Sequence, residues 1–313
     1  MRNSSQGFAL VCVLWVLAIL TVITISYGHR AMLDRRAAAY SLDYLQAMQM
    51  ARGAVERGIV AMRHKASVDA AARASRRSTR EPWRFDTVDL LAERRFYSLS
   101  GGQELEGEEC TYRLRDEERR ISLNKSPKEV LDEIDDLSFT VVNEIIDRRR
   151  EGTISGRPSL FVAVEELLNL DDVSESTWYG DESRPGLRDL LTPWGDGRIN
   201  LNTASADVLR CIPNVRGDLV DEIVAYRAGP DGKPDTADDQ VFSSLGEISG
   251  VVNASADDMK QLEPYCKLDS QFFTITGTAT QRQKRVRAIC SALVRIEAEN
   301  FEVLQWREGD FGS

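Results

Sequence analysis

Phe8 to Gly28 read FALVCVLWVLAILTVITISYG, uncharged throughout and interrupted before Gly28 only by Thr21, Thr24 and Ser26. At about 1.5 Å per residue, a helix of twenty such residues spans about 30 Å, the hydrocarbon thickness of a bilayer. A lone apolar segment satisfies its backbone in lipid only as a helix. The stretch therefore reads as a transmembrane helix over 8–28. In front of it stands a short polar leader, MRNSSQG, whose one charged side chain is Arg2. A secretory signal has an apolar core of about 7–15 residues with a small-residue cleavage site after it. Here the small residue, Gly7, precedes the apolar run, so a cut between Gly7 and Phe8 leaves the anchor on the mature chain. An ordinary signal anchor is the plain alternative on these residues alone.

No proline stands between Phe8 and Pro82, so nothing in the chain forces the helix to stop at the membrane. Tyr44, Met48, Ala51, Val55, Ile59 and Met62 recur at steps of three and four, which puts them on one helical face. One helix over 8–66 is expected, half in lipid and half packed on a soluble body. Arg30, Arg35 and Arg36 follow the anchor closely, against a simple positive-inside orientation. Residues 64–84 are basic and rich in alanine and serine. A solvated helix end and loop accounts for them, with anionic lipid headgroups as the alternative.

Beyond that loop, Cys110, Tyr112 and Leu114 alternate with Thr111, Arg113 and Arg115, the period of a strand. Alternation returns after Cys266, at Phe273, Ile275 and Gly277, then from Val286 to Ile296, then from Phe301 to Trp306. Tight turns at TATQRQK and at Ala298-Glu299-Asn300 suggest an antiparallel meander with one face on the long helix. The 67–120 segment and the 267–308 strands together form one body.

Between them lies a duplication. ISLNKSPKEVLDEI (121–134) aligns without gaps on INLNTASADVLRCI (199–212), an offset of 78. The register carries Val142, Glu144, Ile145 and Arg149 onto Val220, Glu222, Ile223 and Arg227. After a small slip, Phe161, Glu166 and Leu167 match Phe242, Glu247 and Ile248. Each copy (121–198 and 199–266) reads as two short helices joined by a tight turn. Ser126-Pro127-Lys128-Glu129 has the form of a capping box, and Thr203 or Ser205 caps the corresponding helix of the second copy.

Charge bears on what such hairpins bind. Ile121 to Cys266 hold 29 acidic and 14 basic residues, a net of −15, in a chain of formal net charge −10. Sequence-independent DNA affinity comes mostly from cations on the phosphate backbone. The hairpins themselves carry Asp135-Asp136-Leu137-Ser138 and Pro213-Asn214-Val215-Arg216-Gly217, with one glycine between them. No nucleic-acid partner is expected from this surface, and a protein partner fits better. Catalysis is not expected either. Only two histidines occur, His29 and His64, and no nucleophile, base and orienting group can be assembled. Cys12 lies inside the anchor. Cys110, Cys211, Cys266 and Cys290 are an even number outside it, which suits an oxidising compartment and leaves three pairings open. On the layout above, Cys110–Cys290 would link strands and Cys211–Cys266 would close the second copy.

The leader, the cut-like glycine and the apolar helix resemble the prepilins of type IV pili and type II secretion. The resemblance implies cleavage after Gly7 by a cytoplasmic-side prepilin peptidase and methylation of Phe8. Most of that family carry glutamate as the fifth mature residue, where this chain has Cys12. A subunit without the glutamate needs no subunit ahead of it in the filament, as at the tip. With the duplicated segment, the Leu123-Asn124 and Leu201-Asn202 motifs and GLRDLLTPWGDGRINLNTASADVL (186–209), the chain resembles the K-type minor pseudopilins of type II secretion over most of its length. That resemblance implies an α+β fold. A long N-terminal transmembrane helix would pack on an antiparallel pilin-like sheet, with an inserted all-α domain of two helix-hairpin-helix-like repeats.

It further implies a place in the inner membrane, N-terminus cytoplasmic and body periplasmic. The implied work is starting pseudopilus assembly and aiding export of folded proteins. The implied partners are the I- and J-type and major pseudopilins and secreted cargo. A membrane-anchored helix-hairpin-helix DNA receptor, as in competence, is the rival. The loop GPDGKPDTADDQ (229–240) places Asp231, Asp235, Asp238 and Asp239 within ten residues. Calcium accepts such irregular oxygen ligands, and the resemblance favours it, but the EF-hand spacing is absent and aspartate and glycine are also ordinary turn formers.

Overall fold

The computed structural model describes residues 4–74, 87–89, 109–155, 160–233, 239–281, 286–297 and 300–309. The basic 64–84 stretch lies outside these residues from 75 on, as do residues 282–285 and 298–299.

Helix α1 is a single helix, Ser4–Ala74, 71 residues long and so about 105 Å from end to end. It runs past the expected end at 66 because ASVDAAARA is rich in alanine, the best helix former. Among the described residues it is the one helix long and apolar enough to cross a membrane. From Val11 to Ile25 its apolar side chains are more than half exposed, as a lipid-facing segment must be. Further along, Met48, Ala51, Val55, Ile59 and Met62 are buried with Ala47 and Ala54, so the helical stripe is the packing face.

Strands β1 (Thr87–Asp89) and β2 (Glu109–Asp116) follow. The chain then departs into a segment containing β3 (Ile121–Ser122), α2 (Lys128–Asp132), α3 (Phe139–Ser155), α4 (Glu175–Tyr179) and α5 (Leu187–Leu190). It continues through β4 (Leu191–Thr192), β5 (Ile199–Asn200), α6 (Ala206–Arg210) and α7 (Gly217–Arg227). It closes with α8 (Leu245–Val251), α9 (Ala256–Leu262) and β6 (Cys266–Lys267). Strands β7 (Phe272–Gln281), β8 (Val286–Glu297) and β9 (Asn300–Glu308) return. The sheet order is β1-β2-β7-β8-β9, antiparallel throughout, with a bulge between Leu293 and Val294. Asp116 pairs with Phe273, so residues 117–271 fill what would otherwise be a hairpin.

Two separate apolar cores result. One joins the α1 stripe to Cys110, Leu114, Phe273, Ile275 and alternate residues of β8. The other runs without a break through both copies of the duplication, from Ile121 to Cys266. The inserted segment is mainly helical, but it also holds two short parallel ladders that periodicity could not reveal. β3 pairs with β4, and β5 pairs with β6, two residues each.

Candidate functional site: anchor, neck and duplicated cap

α1 passes through Gly7 and Phe8 without interruption, so the candidate cleavage point lies on its first turns. Cys12 is exposed on the apolar span. At the other end, the helix seats closely on the sheet. A Cβ on Gly277 would stand 2.2 Å from the Ala51 carbonyl oxygen, and one on Gly58 would stand 2.6 Å from the Ile275 Cγ2. Glycine on both elements is what permits the approach.

The insertion joins the sheet through a buried polar neck. Asp116, Glu117 and Glu118 are consecutive and all buried. Asp116 Oδ2 accepts from Thr203 Oγ1 at 2.6 Å, Ser270 Oγ at 2.7 Å and Asn200 Nδ2 at 3.0 Å. Its Oδ1 accepts from the Glu118 amide at 2.8 Å. Burial pushes Asp116 up to about 6 despite the Thr203 and Ser270 hydroxyls, and the Glu118 charge adds to the rise. Glu117 accepts from Thr274 Oγ1 at 2.6 Å and Thr192 Oγ1 at 2.7 Å, and it pairs with Arg120. Burial alone would raise it, but Arg120, the two hydroxyls and Arg115 together hold it below the ordinary carboxylate value. Glu118 meets Lys267 at 2.6 Å, both side chains almost wholly buried, and it accepts from the Gln271 amide at 2.6 Å. The departing strand, the second copy and the returning strand thus meet in one network. A buried ion pair costs desolvation and specifies geometry more than it stabilises.

The duplicated motifs act as splints. Asn124 Nδ2 donates to the carbonyls of Phe161 at 2.8 Å and Pro193 at 2.6 Å, and its Oδ1 accepts from the Phe161 amide at 2.9 Å. Asn202 repeats the pattern on Phe242 and Leu268, at 3.1, 3.1 and 2.9 Å. A primary amide supplies two donors and one acceptor in a plane, as this junction requires. The aligned arginines also serve backbone. Arg149 donates to the carbonyls of Leu123 and Ser126 at 2.7 Å each, and Arg227 donates to Ala204 O at 2.5 Å. Burial lowers Arg149 to about 10. Sequence comparison of the copies marks these residues as repeated but says nothing of their partners.

The hairpin turns differ. Between α6 and α7 the left-handed position, φ 58°, is held by Asn214, and Gly217 merely opens α7. Arg216 stays exposed but is tied down by ion pairs to Asp258 at 3.0 Å and Asp218 at 3.1 Å and by a bond to the Asn253 carbonyl at 3.1 Å. Ser205 caps α6, accepting from the Val208 amide, which settles the choice between Thr203 and Ser205. The capping box at Ser126 does not form. Pro127 is the N-cap of α2, and Ser126 Oγ instead accepts from the Ser122 amide at 2.9 Å.

Neither disulfide forms. All five cysteines are free. Cys110 pairs with Ala279 and Cys290 with Gly277, so β7 lies between them. Two strand spacings separate the pair by about 9–10 Å, beyond disulfide reach. The Cys211 thiol donates to the Asp207 carbonyl of its own helix at 3.3 Å, while Cys266 lies in the ladder opposite Ile199. Burial pushes Cys110, Cys211 and Cys266 up to about 12 and Cys290 to about 11, leaving protonated, unreactive thiols. Of the acidic loop, Asp235 and Asp238 lie outside the described residues. Asp231 Oδ1 accepts from the Lys233 amide at 2.8 Å, a turn-forming contact.

No family model and no curated protein matches the chain. Among solved structures it is similar to the crystal structure of the GspK-GspI-GspJ complex from the enterotoxigenic Escherichia coli type 2 secretion system. The likeness covers 81% of this chain and 96% of the matched chain, at 14% sequence identity and a TM-score of 0.46.

Proposed function

We propose that this chain is a K-type minor pseudopilin at the tip of a type II secretion pseudopilus, where it starts assembly and aids export of folded proteins. The observation that carries the reading is the continuity of α1, which supplies the apolar span and then the spine beneath the sheet. Force applied at the anchor reaches the body without a hinge. Cys12, fifth after a cut at Gly7, brings no carboxylate into the lipid, so no subunit ahead is needed to neutralise one. The acidic cap, fixed by the neck, then closes the filament end. The prepilin peptidase cuts before Phe8. The chain sits once across the inner membrane, N-terminus in the cytoplasm and body in the periplasm. I- and J-type pseudopilins flank it, and the major pseudopilin and secreted cargo are further partners. Calcium bound by Asp231, Asp235, Asp238 and Asp239 would tie the loop between α7 and α8, and EDTA would then lower the melting temperature.

The test is cross-linking in membranes, solubilisation and capture of the full chain. Other pilin-like subunits with cleaved leaders are the expected captives. Their absence, together with DNA retained at low salt and released at high salt, would instead favour the DNA receptor.

A further inference from the structure

Arg30, Arg35 and Arg36 have no role in the body or its assembly as described above. They lie on the exposed stretch of α1 between the apolar span and the buried stripe, and none has an ion-pair partner among the described residues. At about 100° per residue, successive members of the trio point roughly 140°, 100° and 120° apart. They form a ring around the helix and not a stripe on one side. Gly28, Ala31, Met32 and Ala39 line a shallow open groove along one side, with Arg35 and Arg36 in its wall.

Depth decides what the ring meets. Arg30 stands three residues beyond Tyr27, about 4.5 Å past the apolar span. Arg35 and Arg36 start about 12 and about 13.5 Å past it, but helical side chains lean toward the N-terminus over the preceding turn, about 5 Å. Arg30 therefore lies within the headgroup layer, about 5–7 Å thick on each side of the hydrocarbon, Arg35 reaches its outer edge, and Arg36 stands just beyond it, within the field of the lipid charges. Asp34 is the single acid among residues 29–42, so the collar keeps a net positive charge.

The geometry points to a binding site for anionic phospholipid headgroups on the body side of the membrane. Arg30 meets the phosphates, Arg35 and Arg36 face the outer headgroup, and the groove beside them leaves their guanidinium groups open to it. This rests on α1 spanning the membrane. It would also explain an arginine cluster on the side where the positive-inside rule disfavours one. An acidic protein surface is the competing occupant, and the experiment distinguishes it.

The full chain is reconstituted in vesicles of equal phosphatidylcholine and phosphatidylglycerol, floated, extracted in mild detergent, and its retained lipids counted by mass spectrometry. Retained phosphatidylglycerol should exceed phosphatidylcholine by about fivefold or more, on the scale of one arginine near a charged surface. The R30Q/R35Q/R36Q variant should float equally well with a ratio near one, and R30K/R35K/R36K should keep the excess. A wild-type ratio near one, or an excess unchanged in the glutamine variant, overturns the inference while leaving the anchor intact. That result would give the collar to an acidic protein. Failure of the wild type to float would remove the spanning helix and the lipid site together.

Discussion

Asp116 and Glu117 are adjacent and buried, yet they shift in opposite directions, because Asp116 has only neutral donors and Glu117 has Arg120. Asp116 folded holds its proton to about pH 6, whereas the unfolded chain releases it near 3.8. Its contribution is full below 3.8 and falls as pH rises through 6, by about 3 kcal/mol. Glu117 behaves oppositely, since its contribution is present above 4.5 and is lost as pH falls through its lowered folded value. Melting of D116N should therefore improve relative to wild type as pH rises from 4 to 6.5. E117Q should worsen over the same range, and parallel curves for the two variants would contradict the assignment. The asparagines give a second expectation. N202A strands two buried Phe242 groups and the Leu268 carbonyl and should cost about 2–4 kcal/mol in denaturant unfolding, with N124A costing somewhat less at its less buried site. Repetition made both asparagines visible in the chain. Their partners lie 37 to 69 residues away, at distances no local pattern encodes.

At the scale of elements, α1 was legible because hydrophobic length and an i, i+3, i+4 stripe are local properties. The strands β7 and β8 were legible for the same reason, with period two. The ladders β3–β4 and β5–β6 were not, since two residues carry no period. Local chemistry misled at Ser126, where a capping-box sequence met competitors in the Ser122 amide, four residues back, and the distant Gly197 carbonyl. It also misled at Cys110 and Cys290, where strand order, invisible in the chain, put β7 between the thiols. Gly277 looked like one more alternating residue of β7, yet its missing side chain sets the distance between helix and sheet. G277A must push Ala51 away, and overpacking of this kind should cost about 1–3 kcal/mol in a thermal melt of the solubilised chain. An unchanged melting temperature would mean that the helix is seated less closely than described.

The whole molecule is one core packed on the rod and a second beyond it, joined to the first by a neck of buried charge. The two bodies were legible because strand periods flank a duplicated helical pattern and because acid is concentrated in the duplication. The neck was not, since nothing local in DEE at 116–118 points to Lys267 and Ser270, which arrive from the far end of the insertion. The proposed role requires the rod to keep its apolar span and to begin at Phe8. Intact-mass measurement of the chain purified from membranes tests this most directly. The predicted species starts at a methylated Phe8, with residues 1–7 gone and all of the apolar segment present. A mass that retains the leader, or that lacks the apolar segment, would contradict the account.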